Sequence, residues 1–150
     1  MNALKLILAA VIIAVIYFVL SDNLPDEVVF NGHLLDVKED KSTANNNQFE
    51  IFTYTDQSGL NLIMIITPKR DAITLSALEQ TYLERFKQKG FKFTGTGGNH
   101  VGIKDKNGLY LTIAPDINAL VAYIERTSGN YILKPEKMVE IFSDLKNIKI

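Results

Sequence analysis

Residues 51–68 read IFTYTDQSGLNLIMIITP, which is two apolar runs on either side of the turn sequence Asp56-Gln57-Ser58-Gly59. An aspartate favours the start of a tight turn because it hydrogen-bonds the nearby backbone, and a glycine adopts the left-handed conformation that closes the turn. The segment therefore predicts a β-hairpin whose second strand runs toward Pro68, since proline cannot donate a hydrogen bond to a neighbouring strand.

The apolar runs of this hairpin do not show the alternation of apolar and polar residues that is expected of a strand with one solvent-exposed face. Leucine or isoleucine stands at positions 60, 62, 63, 65 and 66, with Met64 between them, and the preceding strand shows the same excess. Both faces of the sheet therefore require cover. Either helices or a sheet bend supply it within one molecule, or part of one face is an exposed patch for a partner or an apolar ligand. The patch interpretation makes candidate partner contacts of Phe52, Tyr54, Ile63 and Ile65.

Two helices accompany the hairpin. Ser76 and Glu79 have the spacing of a capping box, and Gly90 follows two lysines as a helix stop. A closing helix is expected from Pro135, because proline is favoured in the first helical turn. Its apolar residues recur at helical spacing, namely Met138, Val139, Ile141, Phe142 and Leu145.

Further strands are predicted on both sides of these elements. Asn31-Gly32 separates residues 28–30 from residues 33–38 and is a strong hairpin signal, since both turn positions favour positive φ. Residues 39–47 are polar and are expected to form an exposed loop. A second turn, residues 105–108, repeats the pattern of Asp56 to Gly59, so Gly108 is expected to close it.

The region after the first helix continues this pattern of hairpins. Residues 91–93 and 100–104 are expected to be strands joined by a glycine-rich loop at 95–99. Residues 117–126 fit both helical and strand spacing, and a following Ser128-Gly129-Asn130 turn favours a strand that pairs with residues 131–133. The expected fold class is α+β, with one domain that contains a mainly antiparallel sheet and two main helices.

An apolar head precedes this domain. Lys5 is followed by fifteen uncharged residues from Leu6 to Leu20, and then by a short segment that contains acidic residues. This pattern predicts a transmembrane anchor at 1–21, a short tether at 22–27 and an extracytoplasmic domain at 28–150. Because the span is short, a cleaved signal segment is the alternative. Small residues on one face of the head helix make Ala10, Ala14 and Tyr17 candidate contacts for a second membrane helix.

The charges flanking the head predict its orientation. Positive charge lies before the span, and the first basic residue after it is Lys38. The N-terminus is therefore expected in the cytoplasm and the domain outside it, which in a bacterium means inner membrane and periplasm. The expected partners are the lipid bilayer and a membrane protein.

Composition bounds the chemistry of the domain. The chain has 16 basic and 17 acidic residues, a net charge of −1, which argues against a nucleic-acid surface. It has no cysteine and two histidines, His33 and His100, without metal-ligand spacing. The sequence predicts no cofactor, no metal and no catalytic residue.

One segment invites a catalytic interpretation. Residues 95–102, GTGGNHVG, resemble a phosphate loop only superficially, because a strand rather than a helix is expected to follow. His100 in this segment is a conceivable acid or base, with Asn99 and Asp105 as its nearest polar residues, but no nucleophile stands in a recognisable pattern.

The sequence thus favours a membrane-tethered, non-enzymatic binding module, an accessory or assembly subunit of a larger membrane complex. An extracytoplasmic carrier or sensor of a small apolar ligand is the first alternative. An enzyme centred on His100 is the second.

Overall fold

The computed structural model describes residues 27–30, 33–40, 48–69, 72–96 and 98–148. Its elements, in chain order, are β1 (Glu27–Phe30), β2 (His33–Asp40), β3 (Phe49–Thr55), β4 (Asn61–Pro68), α1 (Leu75–Gln88), β5 (Lys92–Thr96), β6 (Asn99–Lys104), β7 (Asn107–Ala114), a 3-10 turn (Pro115–Ile117), β8 (Ala119–Arg126) and α2 (Pro135–Lys146).

The predicted anchor at 1–21, with Ala10, Ala14 and Tyr17, lies outside the described residues, as does most of the predicted tether. Neither α1 nor α2, the helices of the described ranges, is long and apolar enough to cross a membrane.

The strands form one antiparallel sheet in the order β1-β2-β3-β4-β8-β7-β6-β5. The chain makes two meanders of four strands, which meet in the middle of the sheet where β4 pairs with β8. Strands β3 to β8, together with α1 and α2, form the body of the domain, and β1 and β2 extend the sheet at one edge. The expectation of an antiparallel α+β domain with two helices is confirmed.

The two helices lie on opposite faces of the sheet. Leu78, Tyr82 and Phe86 of α1 pack on one face, in a cluster with Leu109 and Leu111 of β7. On the other face, α2 contributes Ile141, Phe142 and Leu145 to a second cluster that includes Ile63, Ile65, Tyr110 and Tyr123. Alternate residues of β7 and β8 thus enter opposite cores, which accounts for the apolar excess along the central strands.

A bend of the sheet completes the cover on the α2 face. The rings of Phe30 and Tyr123 have centroids 4.7 Å apart, although β2, β3 and β4 lie between β1 and β8 in the sheet. The edge of the sheet therefore curls across this face. Phe52 is 9% exposed, and Tyr54, Ile63 and Ile65 are 0% exposed. The structure places these four candidate partner contacts inside the core.

Three local expectations are wrong. Helix α1 is capped by Thr74, whose Oγ1 accepts a hydrogen bond from the Ala77 N–H, so Ser76 and Glu79 do not form a capping box. Gly108 lies within β7, and Asp105 adopts the positive φ of 53° in that turn. No strand forms at residues 131–133. Both sides of β8 are already paired, with β4 and with β7, so no edge is free for another strand.

Candidate functional site

A tyrosine–glutamate cluster joins the sheet to α2. It consists of Tyr110, Tyr123, Glu125, Tyr131 and Lys137. Tyr110 and Tyr123 are direct partners in the register of β7 and β8, so their rings lie side by side on the α2 face. Tyr131 comes from the segment that follows β8, and Lys137 comes from the first turn of α2. The cluster thus connects three separate parts of the chain.

The carboxylate of Glu125 is the centre of this cluster. Its Oε1 accepts hydrogen bonds from Lys137 Nζ at 2.6 Å and Tyr131 Oη at 3.0 Å, and its Oε2 accepts one from Tyr123 Oη at 3.2 Å. The hydroxyl groups of Tyr110 and Tyr131 are also hydrogen-bonded to each other. Because Tyr131 donates its hydroxyl hydrogen to Glu125, Tyr110 must be the donor in the hydrogen bond between Tyr110 and Tyr131.

Two tyrosines of the cluster have a raised pKa. Burial raises the pKa of Tyr110, and the nearby Glu125 adds to the rise while the hydrogen bond with Tyr131 opposes it. Burial also raises the pKa of Tyr131, and its interactions with Tyr110 and Glu125 raise it further. The hydrogen bonds of Glu125 join β8, the segment that follows it and the first turn of α2. The cluster therefore acts as a structural cross-link that fixes α2 on the sheet.

His100 has a different neighbour from those expected. Its Nε2 lies 3.6 Å from Oε2 of Glu79 on α1, and both atoms are buried without a hydrogen-bond partner. Asn99 lies in the neighbouring position of β6, where its Oδ1 accepts a hydrogen bond from Thr112 Oγ1 at 2.8 Å. In the described ranges no hydroxyl group is hydrogen-bonded to Nε2 of His100.

The glycine-rich segment that contains His100 forms a hairpin. Strands β5 and β6 pair with Thr96 opposite Asn99, and Gly98 adopts a positive φ of 90° at the turn. The hairpin leads into strand β6 rather than into a helix. It therefore lacks the helix N-terminus that binds phosphate in dinucleotide sites.

An open cleft of about 610 Å³ separates α2 from the β5–β6 hairpin. Its floor and one end are apolar, formed by Val101, Leu133, Met138 and Phe142, and Val139 stands exposed at its rim. Polar side chains complete the lining, namely Thr94, Asn99, Ser143, Lys146 and Asn147. This size and this mixture of apolar floor and few polar groups are typical of ligand sites.

The tyrosine–glutamate cluster positions one wall of this cleft. The rings of Phe142 and Tyr110 meet edge to face with centroids 5.6 Å apart. Leu133 and Met138 lie close in sequence to Tyr131 and Lys137, which both donate hydrogen bonds to Glu125 Oε1. The hydrogen bonds of Glu125 therefore determine where the apolar wall lies relative to the β5–β6 hairpin.

A functional conclusion for this protein rests on its fold and on the sites described above. No family model, no curated protein and no solved structure matches this chain. Within the ranges that the structure covers, no three histidine or acidic side chains come together in a way that would hold a metal ion.

Neither the cleft nor the pairing of Glu79 with His100 was predicted from the sequence. A signal for Glu79 was present, because it stands four residues after Leu75 and three before Tyr82, on the apolar face of α1. A carboxylate on an apolar helix face faces the sheet and needs a partner there. The cleft had no comparable signal, since its walls come from segments about 40 residues apart in the chain.

Proposed function

We propose that this protein is a non-enzymatic binding module, held at a membrane by its N-terminal segment, that serves as an accessory or assembly subunit of a membrane complex. The cleft between α2 and the β5–β6 hairpin is its recognition site. The observation that carries this proposal is the cleft itself, which is open to solvent beside α2 although both faces of the central sheet are covered. Val101 and Phe142 at its floor are 3% and 6% exposed, Met138 is half-buried, and Val139 at the rim is 68% exposed.

The buried polar groups support recognition rather than catalysis. Glu125 accepts hydrogen bonds from Tyr123, Tyr131 and Lys137, so its carboxylate is engaged in holding the fold together. Its side chain is 10% exposed. Tethering adds to the effect of a modest cleft, because a bilayer-bound module meets other membrane components at high effective concentration. A contact of moderate affinity is then sufficient for stable association.

A second candidate function, a carrier or sensor of a small apolar ligand, is favoured by the dimensions of the same cleft. Its volume of about 610 Å³ lies within the range of small-molecule sites. Under this candidate the occupant of the cleft is a ligand rather than a segment of a companion protein.

The test is purification of the full-length chain from its native membrane with a mild detergent. We expect a stoichiometric companion whose recovery falls about tenfold when Thr94→Trp fills the cleft, equivalent to roughly 1.4 kcal/mol of binding free energy. The matched control is Gln80→Trp, an equally exposed position on α1 at the opposite face, and it should leave recovery unchanged.

The outcomes of this purification separate the two functions. A small molecule in native mass spectra that is lost with Thr94→Trp, without a protein companion, selects the carrier or sensor. A lone, empty monomer, or a companion retained equally by both variants, contradicts the use of the cleft.

A further inference from the structure

The cleft has an apolar end and a polar end. The segment before α2 contributes Leu133, and α2 contributes Met138 in its first half and Phe142 in its second. Ser143, Lys146 and Asn147 line the cleft from the last turn of α2 and the residue that follows it. A ligand that lies along α2 therefore contacts apolar side chains toward the N-terminal end of the helix and hydrogen-bonding groups toward its C-terminal end.

Strand register places Asn99 at the polar end. Helix α2 begins beside Glu125, because Lys137 Nζ binds Glu125 Oε1, and Glu125 pairs with Gly108 near the start of β7. From Lys137 to Lys146 the helix rises about 14 Å. Strand β7 rises about 14 Å from Gly108 to Thr112. Lys146 thus comes level with Thr112, whose hydroxyl group is hydrogen-bonded to Asn99.

The groups at the polar end favour a negatively charged occupant. Among the described residues that line the cleft, Lys146 is the charged one and none is a carboxylate. Asn99 uses its carbonyl oxygen on Thr112, so its NH₂ group is the part that remains for a ligand. Two donors, one of them cationic, match an acceptor-rich anion such as a carboxylate or phosphate.

The negative end of the α2 dipole lies near this site and opposes an anion. Part of that opposition is removed within the helix itself. The carbonyl oxygen of Ser143 accepts hydrogen bonds from the side chain and the backbone N–H of Asn147, and the carbonyl oxygen of Leu145 accepts one from Ile148. The ammonium group of Lys146 is then the dominant charge at this end of the cleft.

We propose that the cleft binds a single-chain amphiphile with an anionic head group, a carboxylate or a phosphate. The hydrocarbon tail lies on Met138 and Phe142, and the head group binds Lys146 and Asn99. Met138 suits a flexible tail because its unbranched side chain adapts to irregular shapes. The proposal rests on the second candidate function, the carrier or sensor, since it names the ligand that the same cleft would hold.

The head group, rather than the tail, must supply the selectivity. A bilayer is as apolar as the floor of the cleft, so transfer of the tail from lipid into the cleft gains little. The charge-assisted hydrogen bond to Lys146 is the contact that a lipid environment does not offer. An uncharged amphiphile with the same tail is therefore the critical comparison.

The experiment uses the full-length chain in phosphatidylcholine nanodiscs with three photoreactive probes. The probes share one alkyl chain, which carries a diazirine near its end, and differ in head group: carboxylate, phosphate or alcohol. We expect the anionic probes to label the peptide that contains Met138 and Phe142 about tenfold more than the alcohol does, which corresponds to one charge-assisted contact.

Variants assign that selectivity to residues. Lys146→Gln should reduce anionic labelling about tenfold, to the level of the alcohol, and Lys146→Arg should restore it. Lys87→Gln is the matched control, because Lys87 is a lysine in the last turn of α1, and it should behave like the wild type. Thr94→Trp should remove labelling by all three probes. Equal melting temperatures check that each variant is folded.

The pattern of labelling distinguishes the possible ligands and the two proposals. Labelling by the carboxylate alone indicates a fatty acid, and labelling by the phosphate alone indicates a lipid phosphate. Equal labelling by the alcohol, or anionic labelling unaffected by Lys146→Gln, overturns the amphiphile proposal. If the probes fail while Thr94→Trp still releases a protein companion, the proposed function stands and only this assignment of the ligand falls.

Discussion

Gly108 allows the ring of Tyr131 to lie directly on strand β7. A Cβ atom at position 108 would lie 2.3 Å from two ring atoms of Tyr131, far closer than van der Waals contact permits. We expect Gly108→Ala to displace Tyr131 and weaken its hydrogen bond to Glu125. The expected loss in the free energy of unfolding is about 2–3 kcal/mol, measured by urea denaturation.

Gly129→Ala is the control for this substitution. Gly129 is exposed, and a Cβ atom there has no neighbour within 4 Å. The free energy of unfolding should change by less than about 0.5 kcal/mol. Equal effects of the two substitutions would contradict the role assigned to the contact between Gly108 and Tyr131.

The buried tyrosines predict a loss of stability at alkaline pH. Burial raises the pKa of Tyr131 in the folded state, whereas an unfolded tyrosine titrates near pH 10. Below about pH 10 both states are protonated, and the stability is fully present. Above it the unfolded state loses the proton first, so the free energy of unfolding falls by up to about 1.4 kcal/mol per pH unit for each such tyrosine.

Tyr131→Phe tests this linkage. The variant should be less stable at neutral pH, because it loses hydrogen bonds to Glu125 and Tyr110. Its stability should also fall less steeply above pH 10, since one titrating group is gone. Urea titrations at several pH values measure the slope, and an unchanged slope would show that Tyr131 does not carry the effect.

Substitutions at the start of α1 test which residue caps the N-terminus of this helix. Thr74 Oγ1 accepts a hydrogen bond from the Ala77 N–H at 3.1 Å, whereas Ser76, in the first turn of the helix, is exposed. Thr74→Ala should lower the free energy of unfolding by about 1 kcal/mol. Ser76→Ala should change it by less than about 0.5 kcal/mol. A larger effect at Ser76 would favour the capping box that its spacing with Glu79 suggested.

The strands show which structural features a local sequence pattern predicts and which it does not. The turn at Asp56 was predictable because its contacts are local: Asp56 accepts hydrogen bonds from Ser58, Leu60 and Asn61. Burial raises the pKa of Asp56, but these hydrogen bonds outweigh it and hold the pKa below its usual value. The absence of a strand at 131–133 was not predictable in this way, because it follows from β8 already having two neighbours.

The membrane orientation of the whole chain can be tested with introduced thiols, because the chain has no cysteine. Gln57→Cys lies in an exposed turn of the domain, and Asn2→Cys precedes the apolar head. We expect an impermeant maleimide to label Gln57→Cys from outside the cytoplasmic membrane and to label Asn2→Cys only after permeabilisation.

Two other labelling patterns would change this view of the chain. Protection of Gln57→Cys until the membrane is permeabilised would reverse the orientation. Loss of the introduced Asn2→Cys from the mature protein would show that the head is a cleaved signal rather than a retained anchor.

The two functional proposals make the same demands on the folded domain. Both require the cleft between α2 and the β5–β6 hairpin to stay open, and both depend on the hydrogen bonds of Glu125 that fix one of its walls. Gly108→Ala should therefore weaken ligand or partner recognition as well as stability. Gly129→Ala should affect neither.

Sequence patterns determined the fold class and most of the elements, because turn chemistry and apolar periodicity act over a few residues. The cap of α1, the conformation of the turn at 105–108 and the segment at 131–133 were the exceptions. Sequence patterns also showed that both sheet faces need cover, since apolar residues fill consecutive positions from Ile63 to Ile66. Which segments supply that cover was decided only by the tertiary structure. Phe30, Tyr131 and α2 reach the same face through contacts between residues distant in the chain, and the cleft exists because α2 stops short of covering the β5–β6 hairpin.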